Sequence, residues 1–250
     1  MPAPITQIAL LDIPPALAHV ALRSGVGRMT GNDQSDALDW RDGVPVSLRF
    51  DDPYFSLNNG LAETGHVFHA GNGLPGRLRD GFHIVELGFG TGLNLLATAQ
   101  LWAGPGLLRF TSFEAFPMDA VDMAKSLAHF PDVAAFADPL LEQWAKGARV
   151  IHLPGIHAEI IIGDARETLP QWRGRADAWF LDGFSPAKNP ELWSSELMAE
   201  VARHTAPGGT FATYAAAGHV RRSLQDAGFV VERRPGHGHK RHMTAGYLPQ

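Results

Sequence analysis

A glycine-rich turn between an apolar segment and a helical pattern is the feature that most constrains this fold. Residues 84–96 read IVELGFGTGLNLL, with glycines at the alternate positions Gly88, Gly90 and Gly92. An apolar run, alternating glycines and a helical pattern predict a strand, a tight turn and a helix N-terminus. Free backbone N–H groups at that helix start would face a bound ligand. The segment predicts a ligand site, although glycines that serve only packing fit it as well.

The residue before the glycines narrows the kind of ligand. The spacing G-x-G-x-G differs from the G-x-G-x-x-G of dinucleotide-binding turns. Glu86 stands directly before the turn, where an acid suits a cationic, amine-bearing ligand better than a pyrophosphate. S-adenosylmethionine is a ligand of this kind.

Composition limits the class of protein. The chain has 250 residues and is 45% hydrophobic, which is enough for one globular domain with a full core. It has no cysteine, which excludes disulfides, thiolate metal sites and cysteine nucleophiles. Without a membrane-length apolar run or a basic signal-peptide start, we expect a soluble cytoplasmic protein. The net charge of −5 argues against a general nucleic-acid binder and still allows a local basic patch.

Strand and helix patterns alternate along most of the chain. Residues 1–38 predict an N-terminal extension that is poorly ordered or loosely packed, and residues 39–250 predict the main domain. Within that domain, 39–80 form a cap segment, with a strand at 46–50, and 81–250 form the core. The predicted core strands are 83–87, 107–113, 159–162, 178–181, 210–214 and 229–233. The predicted helices are 93–102, 118–128, 134–145, 192–204 and 220–227. This alternation predicts an α/β fold with a doubly wound, mainly parallel sheet.

Acidic residues stand at the ends of consecutive predicted strands. They are Glu86, Glu114, Asp164 and Asp182. Ligands of such sheets bind at the carboxyl ends of the strands. Glu114 is placed to accept from ribose hydroxyls, and Asp164, beside the small Ala165, from an adenine amino group. Acids also favour helix starts, an interpretation that stays open for Asp164. It is weaker for Asp182, because a glycine and a proline break the chain before the next helix.

The segment after Asp182 resembles a family signature. Residues 182–193 read DGFSPAKNPELW, which resembles the D-G-F-x-P-x-x-N-P-x-x-W signature of the tRNA 5-methylaminomethyl-2-thiouridine methyltransferases. These are MnmD-type stand-alone proteins or the methyltransferase half of MnmC-type bifunctional enzymes. Residues 51–56, 60–64, 86–94 and 238–246 are similar to further motifs of that family. The resemblance runs from about residue 39 to the C-terminus.

The resemblance implies both a fold and a reaction. The fold is that of a class I S-adenosylmethionine-dependent methyltransferase, with residues 81–250 as its Rossmann-like core. The reaction converts 5-aminomethyl-(2-thio)uridine at the tRNA wobble position to its methylaminomethyl form. S-adenosyl-L-methionine is the implied methyl donor, with neither flavin nor metal, and the oxidase half is not expected in this chain. The tRNA anticodon stem-loop is the implied partner, and a separate flavin-dependent oxidase is a further candidate.

The resemblance also implies the cofactor-binding residues. They are Glu86, Gly88, Phe89, Gly90, Gly92, Asn94, Glu114, Asp164, Ala165 and Asp182. Glu86 is expected to contact the methionine amino group of the cofactor, directly or through water. Asp182 is also the predicted catalytic residue, because a carboxylate there can hold the N–H of the acceptor amine and stabilise the ammonium that forms.

The predicted substrate-binding residues surround that carboxylate. They are Phe184, Pro186, Lys188, Lys240 and Arg241. Phe184 and Pro186 are expected to wall the acceptor pocket, with Phe184 either stacking on a uracil ring or packing in the core. The basic residues are expected to contact phosphates, although the basic tail also fits a solvated hairpin.

Several alternatives remain open from the residues alone. Residues 51–56 fit a capped turn better than a loop over a ligand. A metal site at His237, His239 and His242 is disfavoured by the lysine and arginine between them. Two other functions are possible for such a chain. One is a methyltransferase or aminopropyltransferase for a small amine or polyamine, and the other is a non-catalytic module with the cofactor-binding fold.

Overall fold

A small antiparallel sheet begins the described part of the chain. The computed structural model describes residues 37–56 and 60–250, so the predicted extension lies almost wholly outside the described residues. Three strands pair in the order β1 (Leu38–Arg41), β2 (Val44–Ser47) and β3 (Asp52–Pro53). The strand predicted at 46–50 ends earlier than expected. The Ser47 hydroxyl accepts from the Phe50 N–H at 3.0 Å, which turns the chain after β2.

The main sheet has eight strands. They are β4 His83–Leu87, β5 Leu108–Glu114, β6 Val150–Leu153, β7 Ile156–Ile162, β8 Ala176–Leu181, β9 Thr205–Thr213, β10 Val230–Pro235 and β11 His242–Tyr247. Their order is β10-β11-β9-β8-β4-β5-β7-β6. The five central strands, from β9 to β7, are parallel neighbours. Strands β6 and β11 pair antiparallel to their neighbours, so the mainly parallel sheet is confirmed.

Seven helices lie in the described residues. They are α1 Gly60–Thr64, α2 Leu93–Leu101, α3 Ala120–Leu127, α4 Ala134–Ala145, α5 Ala165–Thr168, α6 Ser195–Arg203 and α7 Gly218–Asp226. Helix α1 continues through two short helical segments, Gly65–His69 and Ala70–Asn72. The predicted helix at 192–204 begins only at Ser195, because the Ser194 side chain caps it by accepting from the Leu197 N–H. No helix in these residues has the length and apolar character needed to cross a membrane.

Both faces of the main sheet are covered. Val85 and Leu87 of β4 belong to a buried cluster with Leu224 of α7, on one face. Side chains alternate between the faces of a strand, so Phe180 of β8 points to the opposite face. There its ring stacks on Phe68, with ring centroids 5.2 Å apart. The sheet is therefore doubly wound, as predicted.

Two strands of the main sheet, β6 and β11, have no counterpart in the sequence prediction. Strand β6 is a short edge strand in which only alternate residues are buried, and its pattern is too brief to stand out from a loop. Strand β11 follows the basic residues that suggested a terminal tail. It lies between β10 and β9, and four of its six residues are buried. The C-terminal segment is thus an interior part of the sheet.

Asn72 fastens the helical segment after α1 to the sheet. Its Nδ2 donates to the carbonyls of Phe68 at 2.9 Å and Trp179 at 3.1 Å. Its Oδ1 accepts from Thr210 Oγ1 at 2.6 Å, and the residue is 1% exposed. Because Asn72→Ala leaves two buried carbonyls and a half-buried hydroxyl without this partner, we expect the free energy of unfolding to fall by about 3–5 kcal/mol. Urea unfolding followed by circular dichroism measures the change.

An exposed amide on α2 provides the control. The Gln100 side chain donates to the Asp132 carbonyl at 3.0 Å on the protein surface. We expect Gln100→Ala to change the free energy of unfolding by less than about 0.5 kcal/mol. A loss below about 1 kcal/mol in Asn72→Ala would show that water or a shifted neighbour replaces the amide.

Candidate active site

A cavity of about 860 Å³ opens at the carboxyl ends of β4, β5 and β8. This volume is typical of small-molecule sites, which occupy roughly 300–1,000 Å³. The glycine turn after β4, the end of β5 and the loop after β8 form its walls, together with residues 49–56 of the N-terminal sheet. Three of the four strand-end acids line it, namely Glu114, Asp164 and Asp182. The sheet edge that the sequence indicated therefore carries a cavity.

The glycine turn comes close to two neighbouring segments. Gly88 and Gly90 have φ angles of +86° and +53°, which residues with a side chain rarely adopt. A Cβ at Gly88 would lie 3.3 Å from the Asp182 carbonyl, and one at Gly90 would lie 3.3 Å from the Tyr54 ring. Gly92 is not among the cavity-lining residues, and a Cβ there would lie 3.0 Å from a leucine of α4. The first two glycines allow the turn to form the floor of the cavity.

Main-chain donors fix the carboxylate of Glu114. Its Oε2 accepts from the Gly90 N–H at 2.9 Å, and its Oε1 accepts from the Phe116 N–H at 2.7 Å. The residue is 8% exposed and lines the cavity. A carboxylate oxygen at the cavity is an acceptor suited to the hydroxyl groups of a ligand. This geometry suits the role predicted for Glu114 at a ribose.

Asn94 bridges two carboxyl groups. Its Nδ2 donates to Glu86 Oε1 and to Asp182 Oδ2, both at 2.8 Å, and Ser112 Oγ donates to Glu86 Oε2 at 2.7 Å. Burial raises the pKa of Glu86 well above its usual range, and the charge of Asp182 adds to the rise. Glu86 is fully buried and is not among the cavity-lining residues, whereas Asn94 is. The structure therefore places Asn94 at the cavity and Glu86 behind it.

Asp182 presents a carboxylate to the cavity from the end of β8. Its Oδ1 accepts from the Gly183 N–H at 2.8 Å, and its Oδ2 accepts from Asn94. Burial raises the pKa of Asp182 to about 6, while these two hydrogen bonds and the charge of Lys240 act in the opposite direction. The carboxylate is therefore mostly ionised at pH 7 and can accept an N–H or a proton from a ligand.

Aromatic side chains wall the cavity beside Asp182. Phe184 stacks on Phe50 with ring centroids 4.7 Å apart, and Tyr54 meets it edge-on at 5.0 Å. Phe184 also lines the cavity. It therefore packs against other aromatic rings and faces the pocket at the same time, whereas the sequence left open which of the two it does. Pro186 is not among the lining residues. The Tyr214 hydroxyl donates to the Gly183 carbonyl and holds the loop after β8 in place.

The N-terminal segment, residues 49–56, lies at the cavity. A loop beside a ligand site therefore describes residues 51–56 better than the capped turn that the sequence favoured. Asp52 Oδ2 accepts from the Ser185 N–H at 2.7 Å. Lys188 Nζ lies 3.4 Å from Asp51 Oδ2 and 3.7 Å from Asp52 Oδ1. The density of acidic and aromatic residues in this segment was the available sequence signal. The partner loop is more than 130 residues away, which local patterns do not show.

The predicted phosphate-binding residues have different surroundings. Lys240 lines the cavity, pairs with Glu63 at 2.6 Å, and lies 4.1 Å from the centre of the Tyr214 ring. Lys188 lines the cavity and forms ion pairs with Asp51 and Asp52 of the N-terminal segment. Arg241 is not among the lining residues. Arg49 also lines the cavity, with its guanidinium 4.4 Å from the Phe116 ring centre, and sequence reasoning missed it.

Asp164 serves as a helix cap and as a cavity residue. Its Oδ1 accepts from the Arg166 N–H at 2.8 Å, which caps α5, and its Oδ2 lies 2.6 Å from Arg166 Nη2. The hydrogen bond from Arg166 lowers the pKa of Asp164. Ala165 also lines the cavity. The helix-start interpretation is confirmed, and the position of Asp164 at the cavity leaves its predicted role at the adenine open to test.

Histidines near the cavity do not form a metal cluster. His237 and His239 line the cavity, and His242 begins β11. Across residues 37–56 and 60–250, no group of three or more histidine, aspartate or glutamate side chains is placed to hold a metal ion.

Known proteins similar to this chain share its fold and much of its sequence. The chain is 47% identical to the tRNA 5-methylaminomethyl-2-thiouridine biosynthesis bifunctional protein MnmC of Pseudomonas paraeruginosa, over 85% of this chain and 35% of that protein. The MnmC protein of Pseudomonas fluorescens is 49% identical, over 84% and 34%. A family model described as S-adenosyl-L-methionine-dependent methyltransferase matches residues 131–249. The chain is thus similar to S-adenosyl-L-methionine-dependent methyltransferases, and the match to their family model covers residues 131–249.

The solved structure of MNMC2 from Aquifex aeolicus has the same fold as this methyltransferase. The two superpose with a TM-score of 0.68 at 23% identity, over 88% of this chain and 74% of that one. The fold class and the family resemblance inferred from the sequence are both confirmed. The methyltransferase spans about a third of the length of the curated relatives it matches.

The cavity of the methyltransferase fits S-adenosylmethionine. The glycine turn offers main chain without Cβ atoms, Glu114 offers carboxylate oxygens for ribose hydroxyls, and Asp164 with Ala165 offers an acceptor beside a small side chain. These are the kinds of group that a charged nucleoside with an amino acid tail requires. The predicted cofactor residues that face the cavity are Gly88, Phe89, Gly90, Asn94, Glu114, Asp164, Ala165 and Asp182.

Proposed function

We propose that this methyltransferase converts 5-aminomethyl-(2-thio)uridine at the tRNA wobble position to 5-methylaminomethyl-(2-thio)uridine. The observation that carries the proposal is a carboxylate, Asp182, which lies between the cofactor-type turn and an aromatic wall in one cavity. The curated relatives support the substrate, because their name refers to the biosynthesis of this nucleoside in tRNA. Residues 39–250 would form the methyltransferase domain, with residues 39–80 as its cap.

The cofactor supplies a methyl group on a positively charged sulfur. We assign its ribose to Glu114, its adenine to the segment at Asp164 and Ala165, and its amino acid end to the glycine turn beside Asn94. The cap segment and the loop after β8 limit water around the reacting groups, because they are joined across the cavity by Asp52 and Ser185.

The acceptor amine must be neutral to attack the methyl group. An amine with a lysine-like pKa is neutral in about one molecule in a thousand at pH 7, which costs about 4 kcal/mol. Desolvation and a nearby positive charge lower that pKa. The Asp182 carboxylate accepts an amine N–H, orients the lone pair and stabilises the ammonium that forms. Alignment of the two reactants in one cavity contributes about 7–11 kcal/mol.

The RNA would meet the mouth of the cavity. Phe184 offers a ring face beside Asp182 on which the uracil can stack. Arg49, Lys188 and Lys240 line the cavity and would contact phosphates of the anticodon stem-loop. A flavin-dependent oxidase would supply the free amine from a substituted precursor.

Methyl transfer to tRNA tests the proposal. Protein and S-adenosylmethionine with a labelled methyl group are incubated with tRNA that contains 5-aminomethyl-2-thiouridine, and nucleosides are measured by mass spectrometry. We expect loss of this nucleoside and an equal gain of its methylated form. A small polyamine serves as the competing acceptor. Transfer to the polyamine and not to the tRNA would contradict the proposal and favour a small-amine methyltransferase.

A further inference from the structure

One buried amide connects helix α1 to the carboxylate at the end of β8. Thr64 Oγ1 donates to Asn94 Oδ1 at 2.7 Å. The Nδ2 of the same amide donates to Asp182 Oδ2 and to Glu86 Oε1, both at 2.8 Å. Thr64 is 3% exposed and Asn94 is 7% exposed, so bulk water does not replace these partners. Thr64 is thus two hydrogen bonds away from Asp182.

The surroundings allow only one orientation of the amide. An asparagine has two N–H donors and one oxygen acceptor. In the observed orientation both donors meet carboxyl oxygens, and the oxygen meets the Thr64 hydroxyl. In the flipped orientation the Asn94 oxygen would face the oxygens of both Glu86 and Asp182, which is repulsive. The Thr64 hydroxyl therefore donates the hydrogen bond to the Asn94 oxygen while the Asn94 NH2 group donates to Glu86 and Asp182.

The geometry points to Thr64 as a positioning residue that orients Asp182 through Asn94. The main-chain N–H of Gly183 holds one oxygen of Asp182, and Asn94 holds the other. With both bonds the plane of the carboxylate is fixed. The inference depends on the proposed function only for its effect on turnover, because the orientation and the charge of Asp182 are properties of the protein alone.

Several charged and titratable groups face Asp182. Lys240 and Glu63, which pair with each other, lie on the cavity side, with Tyr214 next to them. Burial raises the pKa of Tyr214, and the negative charge of Asp52 adds to the rise. Glu86 lies behind Asn94 and binds its amide. The hydrogen bond from Asn94 favours the ionised form of Asp182 and so lowers its pKa. A weakened bond is therefore expected to raise the pKa of Asp182.

Thr64→Val removes the hydroxyl and keeps the shape. In protein labelled with ¹³C at aspartate carboxyls, NMR titration follows Asp182, whose signal is assigned by its loss in Asp182→Asn. We expect Thr64→Val to raise the pKa of Asp182 by about half a unit or more. We expect kcat for tRNA methylation to fall about tenfold at pH 7, with the acidic limb of its pH profile moved to higher pH. KM for tRNA and calorimetric cofactor affinity should stay within about twofold.

Two further variants separate positioning from packing. Thr64→Ser keeps the hydroxyl and should behave as the wild type does. Thr98 Oγ1 donates to the main-chain carbonyl of Asn94 at 2.7 Å, so Thr98→Val removes a buried hydroxyl from the same region without touching the amide. An unchanged Asp182 titration in Thr64→Val, or an equal shift in Thr98→Val, would overturn the inference. If the wild type methylates no tRNA, the proposed function fails, and the NMR titration still decides the positioning role.

Discussion

Asp182→Asn should lower the rate of methyl transfer to tRNA by about 10³-fold while leaving the protein folded. The substitution keeps the shape of the side chain and removes the charge that stabilises the ammonium in the transition state, a kind of contact worth roughly 10²–10³-fold. One of its two oxygens also becomes a donor, so either the bond from Gly183 or that from Asn94 is lost. Single-turnover kinetics with saturating cofactor measures the chemical step.

The same variant should show a changed pH dependence of stability. The pKa of Asp182 is about 6 in the folded protein, above the unfolded value of 3.8. The folded state therefore binds this proton more tightly than the unfolded state does. As the pH rises from about 4 to about 6, the contribution of Asp182 to the free energy of unfolding falls by about 3 kcal/mol. Asp182→Asn removes that decrease, while the contribution of Glu86 remains. Unfolding in urea at pH 4 and pH 7 measures the difference.

Retained turnover in Asp182→Asn would remove the catalytic role assigned to this carboxylate. Glu196→Gln is a suitable control, because Glu196 is an exposed carboxylate in the first turn of α6. The variant loses the same charge at a residue that does not line the cavity, so its transfer rate should stay within about twofold of the wild type.

The second large effect is expected at Glu114. Glu114→Ala removes the carboxylate proposed to hold the ribose and also takes away the acceptor of the Gly90 and Phe116 N–H groups. Hydrogen bonds to a charged group contribute about 1.5–3 kcal/mol each. The loss of the bonds from the two ribose hydroxyls therefore weakens cofactor binding by at least about 100-fold. Isothermal titration calorimetry with S-adenosylmethionine measures this affinity without any RNA.

Glu159 of β7 provides the matched control for Glu114. Its side chain is exposed on a neighbouring strand, so Glu159→Ala removes one carboxylate without touching the cavity. Cofactor affinity in this variant should change less than about twofold. Glu114→Gln should lie between the wild type and Glu114→Ala, because an amide can still accept one ribose hydroxyl. Affinity within about fivefold of the wild type in Glu114→Ala would place the ribose elsewhere.

The sequence predicts the central sheet well because that part of the fold is encoded locally. Strands β4 and β8 consist mainly of apolar residues, as expected for parallel strands buried on both faces. The acids and glycines that follow them mark the carboxyl edge of the sheet. Helix α4 agrees with its predicted bounds, since its pattern is periodic over its whole length.

The rest of the site depends on contacts between segments that are far apart in sequence. Residues 49–56 show no strong period, and long-range contacts such as those of Asp52 with Ser185 and of Phe50 with Phe184 make them a wall of the cavity. Glu86 was predicted to face the ligand because it precedes the glycine turn. Side chains alternate along a strand, and the burial of Glu86 beneath Asn94 depends on how α2 packs.

The double hydrogen bond from Asn94 limits how this sequence can diverge. If either Glu86 or Asp182 became apolar, one amide hydrogen would lose its acceptor in a buried place. An aspartate in place of the amide would bring three acidic groups together, a strongly unfavourable arrangement. We therefore expect apolar replacements of Glu86 or Asp182, and an acidic replacement of Asn94, to persist only with compensating substitutions at the other two positions.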